Sequence, residues 1–133
     1  MAMWEVETTD FFDEWFAGLG EAEKEVIEGL VGAMKIVGPH LKRPHADTLN
    51  GSAYANMKEL RGKTAEAVLC VAFAFDPLQK AILLVGGDKS GVSEKLFYKQ
   101  LIVRADKLYG AHLLKVRMQK ERRKAQQKKG KGV

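Results

Sequence analysis

Glu59 and Arg61 stand two positions apart in a stretch, Met57 to Arg61, that alternates weakly between apolar and polar residues. If that stretch is a strand, alternation puts Glu59 and Arg61 on one face and Lys58 on the other. An arginine so placed can hold two oxygens of a phosphate with its planar fork. A carboxylate beside it either takes up a proton or orients the arginine; a surface arginine paired with a neighbouring strand is the plainer reading. Lys89 lies in the run GGDKSG, where glycines let the backbone approach a phosphate closely. The competing reading there is an ordinary polar turn, with Asp88 as a turn or capping residue. Tyr98 follows at the start of a predicted helix. A phenol of ordinary pKa, near ~10, is a poor base at neutral pH unless cations lower it. Stacking on a nucleobase needs no such shift, and a core tyrosine is the remaining alternative. Lys95 and Lys99 would add phosphate contacts from the same helix end.

Elements with simple signatures must position these groups. Trp4 to Thr8 alternates like a short half-buried strand. Thr9 reads as a helix N-cap with Asp10 and Asp13 in the first turn, followed by Phe11, Phe12, Trp15, Phe16 and Leu19 at helical spacing until Gly18 and Gly20 break it. A second helix begins near Glu21, with Val26, Ile27, Leu30, Val31 and Met34 on one face, and stops at Gly38-Pro39. His40 to Asn56 is turn-rich and reads as a loop with room for a short strand. The uninterrupted apolar run Val68 to Phe75 predicts a strand covered on both faces. Ala81 to Val85 predicts another, and Gly86-Gly87-Asp88 should turn the chain away. From Ser93 a long helix carries an apolar stripe through Phe97, Leu101, Ile102, Ala105, Leu108 and Tyr109, extending to Val116. The order β-α-α-β-β-β-α predicts an α+β fold with an antiparallel sheet.

The bulk properties set the frame. At 133 residues and 46% apolar, the chain suits one domain with a real core. No run approaches the length of a membrane span, and Met1 to Glu7 lacks the look of a signal peptide. The single cysteine, Cys70, cannot form an internal disulfide; together these fit a reducing cytoplasm. The net charge of +5 is uneven: residues 115–133 hold nine Lys/Arg against one acid, whereas residues 1–114 are slightly acidic. The chain therefore divides into a domain, residues 1–114, and a basic helical tail, residues 115–133. Arg122 and Arg123 are its central cations, suited to RNA or another polyanion through counterion release. A solvated helix end is the bland alternative.

Three ordered segments carry a family resemblance. GPHLKRPHADTLNGSAYANMKELR (38–61) contains a Gly-Pro, an Arg-Pro, an L-x-G-S and a K-E-L-R; FAFDPLQKAILLVGGDKSG (73–91) and FYKQLIVRADKLYGAHL (97–113) follow. Together they resemble the phage-derived Gp49-like (HigB) branch of the RelE/HigB-like toxins over roughly residues 4–113. The resemblance implies the RelE/HigB-like fold, with an N-terminal strand and α-hairpin packed on a small antiparallel sheet and a long C-terminal helix. It implies a cytoplasmic toxin of a type II toxin–antitoxin system: an endoribonuclease that cuts translated mRNA at the ribosome with no metal and no cofactor. A helix-turn-helix antitoxin would hold it in a hetero-oligomeric complex. On this reading Arg61, Lys89, Tyr98 and Glu59 are the catalytic set, and Lys58, Lys95, Lys99, Arg122 and Arg123 contact RNA.

The sequence also departs from the family. Cys70 stands where these toxins most often have an arginine, and Glu66 where a basic residue is expected in the preceding turn. A cysteine supplies neither the charge nor the fork; it reads as a small apolar residue of a central strand. The alternative is therefore a non-catalytic toxin of this fold, or an RNA-binding protein with lost or altered nuclease activity. Tyr109 reads as structural and His112 as a packing or capping residue.

Overall fold

In the computed structural model, which describes residues 3–131, the first helix starts where a side chain caps it. The Thr9 hydroxyl accepts the Phe12 backbone N–H at 3.1 Å, satisfying a donor that helix geometry leaves without a partner. Strand β1 (Val6–Thr8) precedes this cap, and helices α1 (Asp10–Ala17) and α2 (Glu21–Val37) follow as the expected hairpin. A 3-10 turn, Gly38–His40, ends α2. Strand β2 (Ala46–Thr48) lies within the predicted loop region, and β3 (Lys58–Lys63), β4 (Val68–Phe75) and β5 (Ala81–Asp88) complete the sheet. Helix α3 (Glu94–Lys131) closes the chain.

The sheet order is β1-β5-β4-β3-β2, so the apolar run of β4 occupies the centre. One core lies between the sheet and the α-hairpin, with Ile27, Leu30 and Met34 against Leu60, Leu69, Val71 and Phe73. A second lies between the sheet and α3, with Leu101, Ala105 and Tyr109 against Met57, Cys70, Ala72 and Leu84. Alternate residues of β4 thus enter opposite cores, which is why its sequence shows no polar side.

Two expectations are corrected. The sheet is mixed: β2 to β5 pair antiparallel, but β1 pairs parallel with β5. The α-hairpin after β1 is a long connection, so no tight turn imposes an antiparallel neighbour. Nor do Gly86 and Gly87 turn the chain; β5 continues through both, opposite Val71 and Cys70. Their lack of side chains serves close approach instead. A Cβ on Gly86 would stand 2.4 Å from the Trp15 ring, and one on Gly87 2.8 Å from Phe97.

A register shift falls between Ala72 and Phe73: Phe73 pairs with Leu83 and Ala72 with Val85, leaving Leu84 as an extra residue on β5. This bulge reverses the alternation of β5 beyond it. Ile82 faces α3 before the bulge, while Val85 faces α3 after it, and Gly87 continues on that side beneath Phe97.

Helix α3 is fixed to the sheet at several points. Tyr109 is 2% exposed, and its hydroxyl donates to the Phe75 carbonyl at 3.3 Å. His112 Nε2 lies 2.8 Å from the buried Asp76 carboxylate, and Asp106 accepts from the Ser52 hydroxyl and from the Ala53 N–H. Val116 is the last buried residue; the side chains described beyond it are exposed.

Two glycine substitutions should differ in sign. Gly86→Val should lower stability by about 1–3 kcal/mol, because the added side chain displaces the Trp15 ring that lies against the Gly86 backbone. Gly29→Ala, inside α2 with nothing within 4 Å of the added Cβ, should raise it by up to about 1 kcal/mol. Urea unfolding followed by tryptophan fluorescence checks both.

Candidate active site

Glu59, Arg61, Lys89 and Tyr98 converge where α3 begins, beside a part of the sheet that the helix leaves open. The row across the sheet is set by register: Arg61 pairs with Cys70, and Cys70 with Gly87. Glu59, two residues before Arg61 on β3, shares its face, as alternation predicts. Lys89 leaves the end of β5, and Tyr98 comes down from the second turn of α3.

The polar contacts run in one direction. Lys89 Nζ donates to the Tyr98 hydroxyl at 3.4 Å, and that hydroxyl donates to Glu59 Oε1 at 3.3 Å. Arg61 Nε lies 3.5 Å from the same Oε1. Lys89 also pairs with Glu94 at 3.2 Å and stands 5.3 Å from the centre of the Tyr98 ring. Glu59 is only 5% exposed, yet its Oε2 is buried without a hydrogen-bond partner among the described residues. An orphaned carboxylate oxygen in such a place is costly. The Arg61 side chain is 39% exposed and presents the accessible cation of the group.

Burial sets the protonation states. It pushes the Glu59 carboxyl above the ordinary glutamate range, against the opposing pull of the Tyr98 hydrogen bond and of Arg61 and Lys89. It also pushes up the Tyr98 phenol, helped by Cys70 and Glu59, so Tyr98 remains a donor at neutral pH. Cys70 Sγ lies 3.7 Å from the Tyr98 hydroxyl. Its thiol is likewise raised by burial, and a fully buried, protonated thiol is a poor nucleophile. The arrangement can therefore bind an anion through Arg61 and Lys89, accept a proton at Glu59, and supply one through Lys89 and Tyr98.

The remaining sequence candidates do not join this cluster. Lys58 points to the opposite face and donates to the Pro39 carbonyl at 3.3 Å, as its parity requires. Lys95 and Lys99 are exposed on the first turns of α3, without a recorded polar contact to the four. Arg122 and Arg123 are exposed far along α3, about 36 Å from Tyr98 at 1.5 Å per residue. Glu66 is exposed in the turn before β4. Asp88 accepts from the N–H groups of Val68 and Ser90, which makes it a turn residue. Sequence reasoning missed Glu94; its place five residues after Lys89, across a helix start, gives no recognisable spacing.

Residues 14–110 match the family described as "Phage derived protein Gp49-like (DUF891)". The chain belongs to this family. Two Mycobacterium tuberculosis (strain H37Rv) proteins are similar to it. One, which carries the toxin name HigB3, is 40% identical over 94 residues, covering 71% of this chain and 80% of its own length. The other, which carries the toxin name HigB2, is 34% identical over 115 residues, 86% of this chain but only 57% of its own length. The chain thus spans little more than half of that longer relative. An E. coli toxin RelE mutant in the free state shares the fold, with a TM-score of 0.53 and 12% identity over 77% of this chain and 96% of that one. The Gp49-like chain is thus similar to proteins that carry HigB toxin names and shares the fold of RelE.

A raised carboxyl has a thermodynamic signature. Folded Glu59 keeps its proton to higher pH than in the unfolded chain, where it titrates near ~4.3. Its penalty is therefore absent at low pH, grows as pH rises from the unfolded value through the folded one, and is constant above that. Glu59→Gln should raise the melting temperature at pH 7 and raise it by much less at pH 4. Calorimetry at the two pH values checks this.

Proposed function

We propose that this Gp49-like chain is the toxin of a type II toxin–antitoxin system and a metal-free endoribonuclease acting on translated mRNA at the ribosome. The observation that carries the reading is the unpartnered Oε2 of Glu59, buried beside two cations and a phenol. Cleavage by the neighbouring 2′-OH needs three services: removal of the hydroxyl proton, stabilisation of the phosphorane charge, and a proton for the leaving 5′-oxygen. Glu59 Oε2 takes the 2′-OH proton as the 2′-oxygen attacks phosphorus. Its raised pKa brings the base nearer the working pH, where general-base catalysis is most efficient. Arg61, with its fork in solvent, holds the non-bridging oxygens. The Lys89–Tyr98 pair delivers a proton to the 5′-oxygen as that bond breaks, leaving a 2′,3′-cyclic phosphate. Cys70 sits under the site as packing, and Arg61, its partner across the β3–β4 pair, supplies the cation that Cys70 lacks.

The antitoxin, a helix-turn-helix protein, is the expected partner, and the cytoplasm the expected compartment. Among the described residues no helix is long and apolar enough to cross a membrane. The basic end of α3, with Arg122 and Arg123, would hold the phosphate backbone of RNA away from the cleavage site.

Induced expression in a bacterial host, with mRNA ends mapped by primer extension, tests the reading. New cuts should appear within reading frames, and Arg61→Ala or Tyr98→Phe should reduce them by roughly 10²-fold or more while the protein stays folded. Growth arrest with intact mRNA would instead favour a toxin of another kind. One observation favours such a binding-only reading as the second choice: Lys89 is engaged by Glu94. In a separate measurement, a stop after Met118 keeps the buried Val116 but removes Arg122 and Arg123. It should weaken RNA association and lower the slope of log K against log salt by about 0.7 per lost phosphate contact, with the melting temperature unchanged.

A further inference from the structure

On the side of the molecule where α1 and α3 run past the end of β5, a groove of about 710 Å³ opens between the two helices. Its floor is Val85 and the bare backbone of Gly86; Phe11, Glu14 and Trp15 form one wall, Leu108 and Ala111 the other, so the two α3 cations, Arg104 and Lys107, outnumber the single carboxylate. The groove is separate from the Glu59 cluster, but a smaller cleft past Gly86, Gly87 and Gln100 leads from it towards Phe97, the neighbour of Tyr98.

Several features mark it as a seat for another polypeptide. Phe11 is 61% exposed at the lip; a large aromatic left in solvent beside an apolar trough is the pattern of an unfilled interface. Arg104 and Lys107 stand exposed on the α3 lip, and neither has an ion-pair partner among the described residues. The α3 wall, Arg104 to Ala111, spans about 10 Å, or two helical turns. That length suits two apolar side chains one turn apart on a docked helix. An apolar floor with cations along one lip calls for an amphipathic helix whose carboxylates flank its apolar face.

We infer that the groove between α1 and α3 is the docking site of an amphipathic, acidic helical segment of the antitoxin. The inference rests on the toxin reading for the existence of that partner. The apolar face of the segment fills the trough between Trp15 and Leu108 against Phe11, and its carboxylates pair with Arg104 and Lys107. The docked helix then lies about 9 Å along the α3 axis, six residues, from the level of Tyr98, so an extension of the same partner along the smaller cleft towards Phe97 reaches the Glu59 cluster and blocks RNA.

The test uses the full chain co-expressed with the product of the adjacent reading frame, where the family resemblance places the antitoxin gene, with a photo-crosslinking amino acid at position 107 or, as a control, at exposed Glu25 on α2. A crosslink to that product from position 107 and not from 25 is the expected result. In parallel, a chain carrying both Arg104→Glu and Lys107→Glu should bind the product at least tenfold more weakly while its melting temperature is unchanged, since both residues are exposed. A complex that forms with no crosslink at 107 and no effect of charge reversal overturns the groove assignment and leaves the toxin reading standing. A crosslink from 107 to a second copy of this chain overturns it in favour of self-association. No complex with the adjacent product removes the toxin–antitoxin reading, and the groove assignment falls with it.

Discussion

The pairing of β4 with both of its neighbours places Arg61, Cys70 and Gly87 in one row across the sheet, and the site follows from that row. β4 is central and covered on both faces, so its register is strongly specified: a one-residue slip would exchange the two cores. The extra residue Leu84 then reverses the alternation of β5 and brings its end to the α3 side. Without it, Gly87 would face the α-hairpin and Lys89 would leave the strand on the wrong side. The bulge therefore positions a side chain, the use to which such irregularities are often put near functional sites.

Within that frame the chain tolerates an unfavourable arrangement. A carboxyl is buried with one oxygen held by Tyr98 and Arg61 and the other left without a partner among the described residues. The surrounding core makes this affordable: two layers of helix over a continuous apolar strand supply stability that a lone strained group does not exhaust. The same burial that opposes ionisation of Glu59 makes its carboxylate more basic, and it keeps Tyr98 and Cys70 protonated. His112, which reads from sequence as a packing or capping residue, is a clasp between α3 and Asp76.

What could be read from sequence was what depends on local periodicity. The uninterrupted apolar run gave the bounds of β4, Thr9 gave the start of α1, and a two-residue spacing put Glu59 with Arg61 and set Lys58 apart. The bulge left no mark, because Ile82-Leu83-Leu84-Val85 is apolar at every position and an inserted residue looks like its neighbours. Gly86-Gly87 carried the composition of a turn. Its use as clearance for Trp15 and Phe97 depends on residues brought in from two helices. The parallel pairing of β1 is equally a matter of tertiary arrangement. Of the nine candidate site residues, the four brought together lie on elements that end at one edge of the α3-covered face. Lys95, Lys99, Arg122 and Arg123 were candidates for their charge, and charge alone does not specify position.

The central claim is that buried Glu59 is the base that meets the RNA. An NMR titration of its side-chain carboxyl, alone and with an RNA dinucleotide whose attacking 2′-OH is replaced by hydrogen, tests this most directly. The account predicts a titration above the ordinary glutamate range in the free protein, and a shift in that titration when the dinucleotide binds. A Glu59 that titrates at or below the ordinary range, and is indifferent to the dinucleotide, would contradict it.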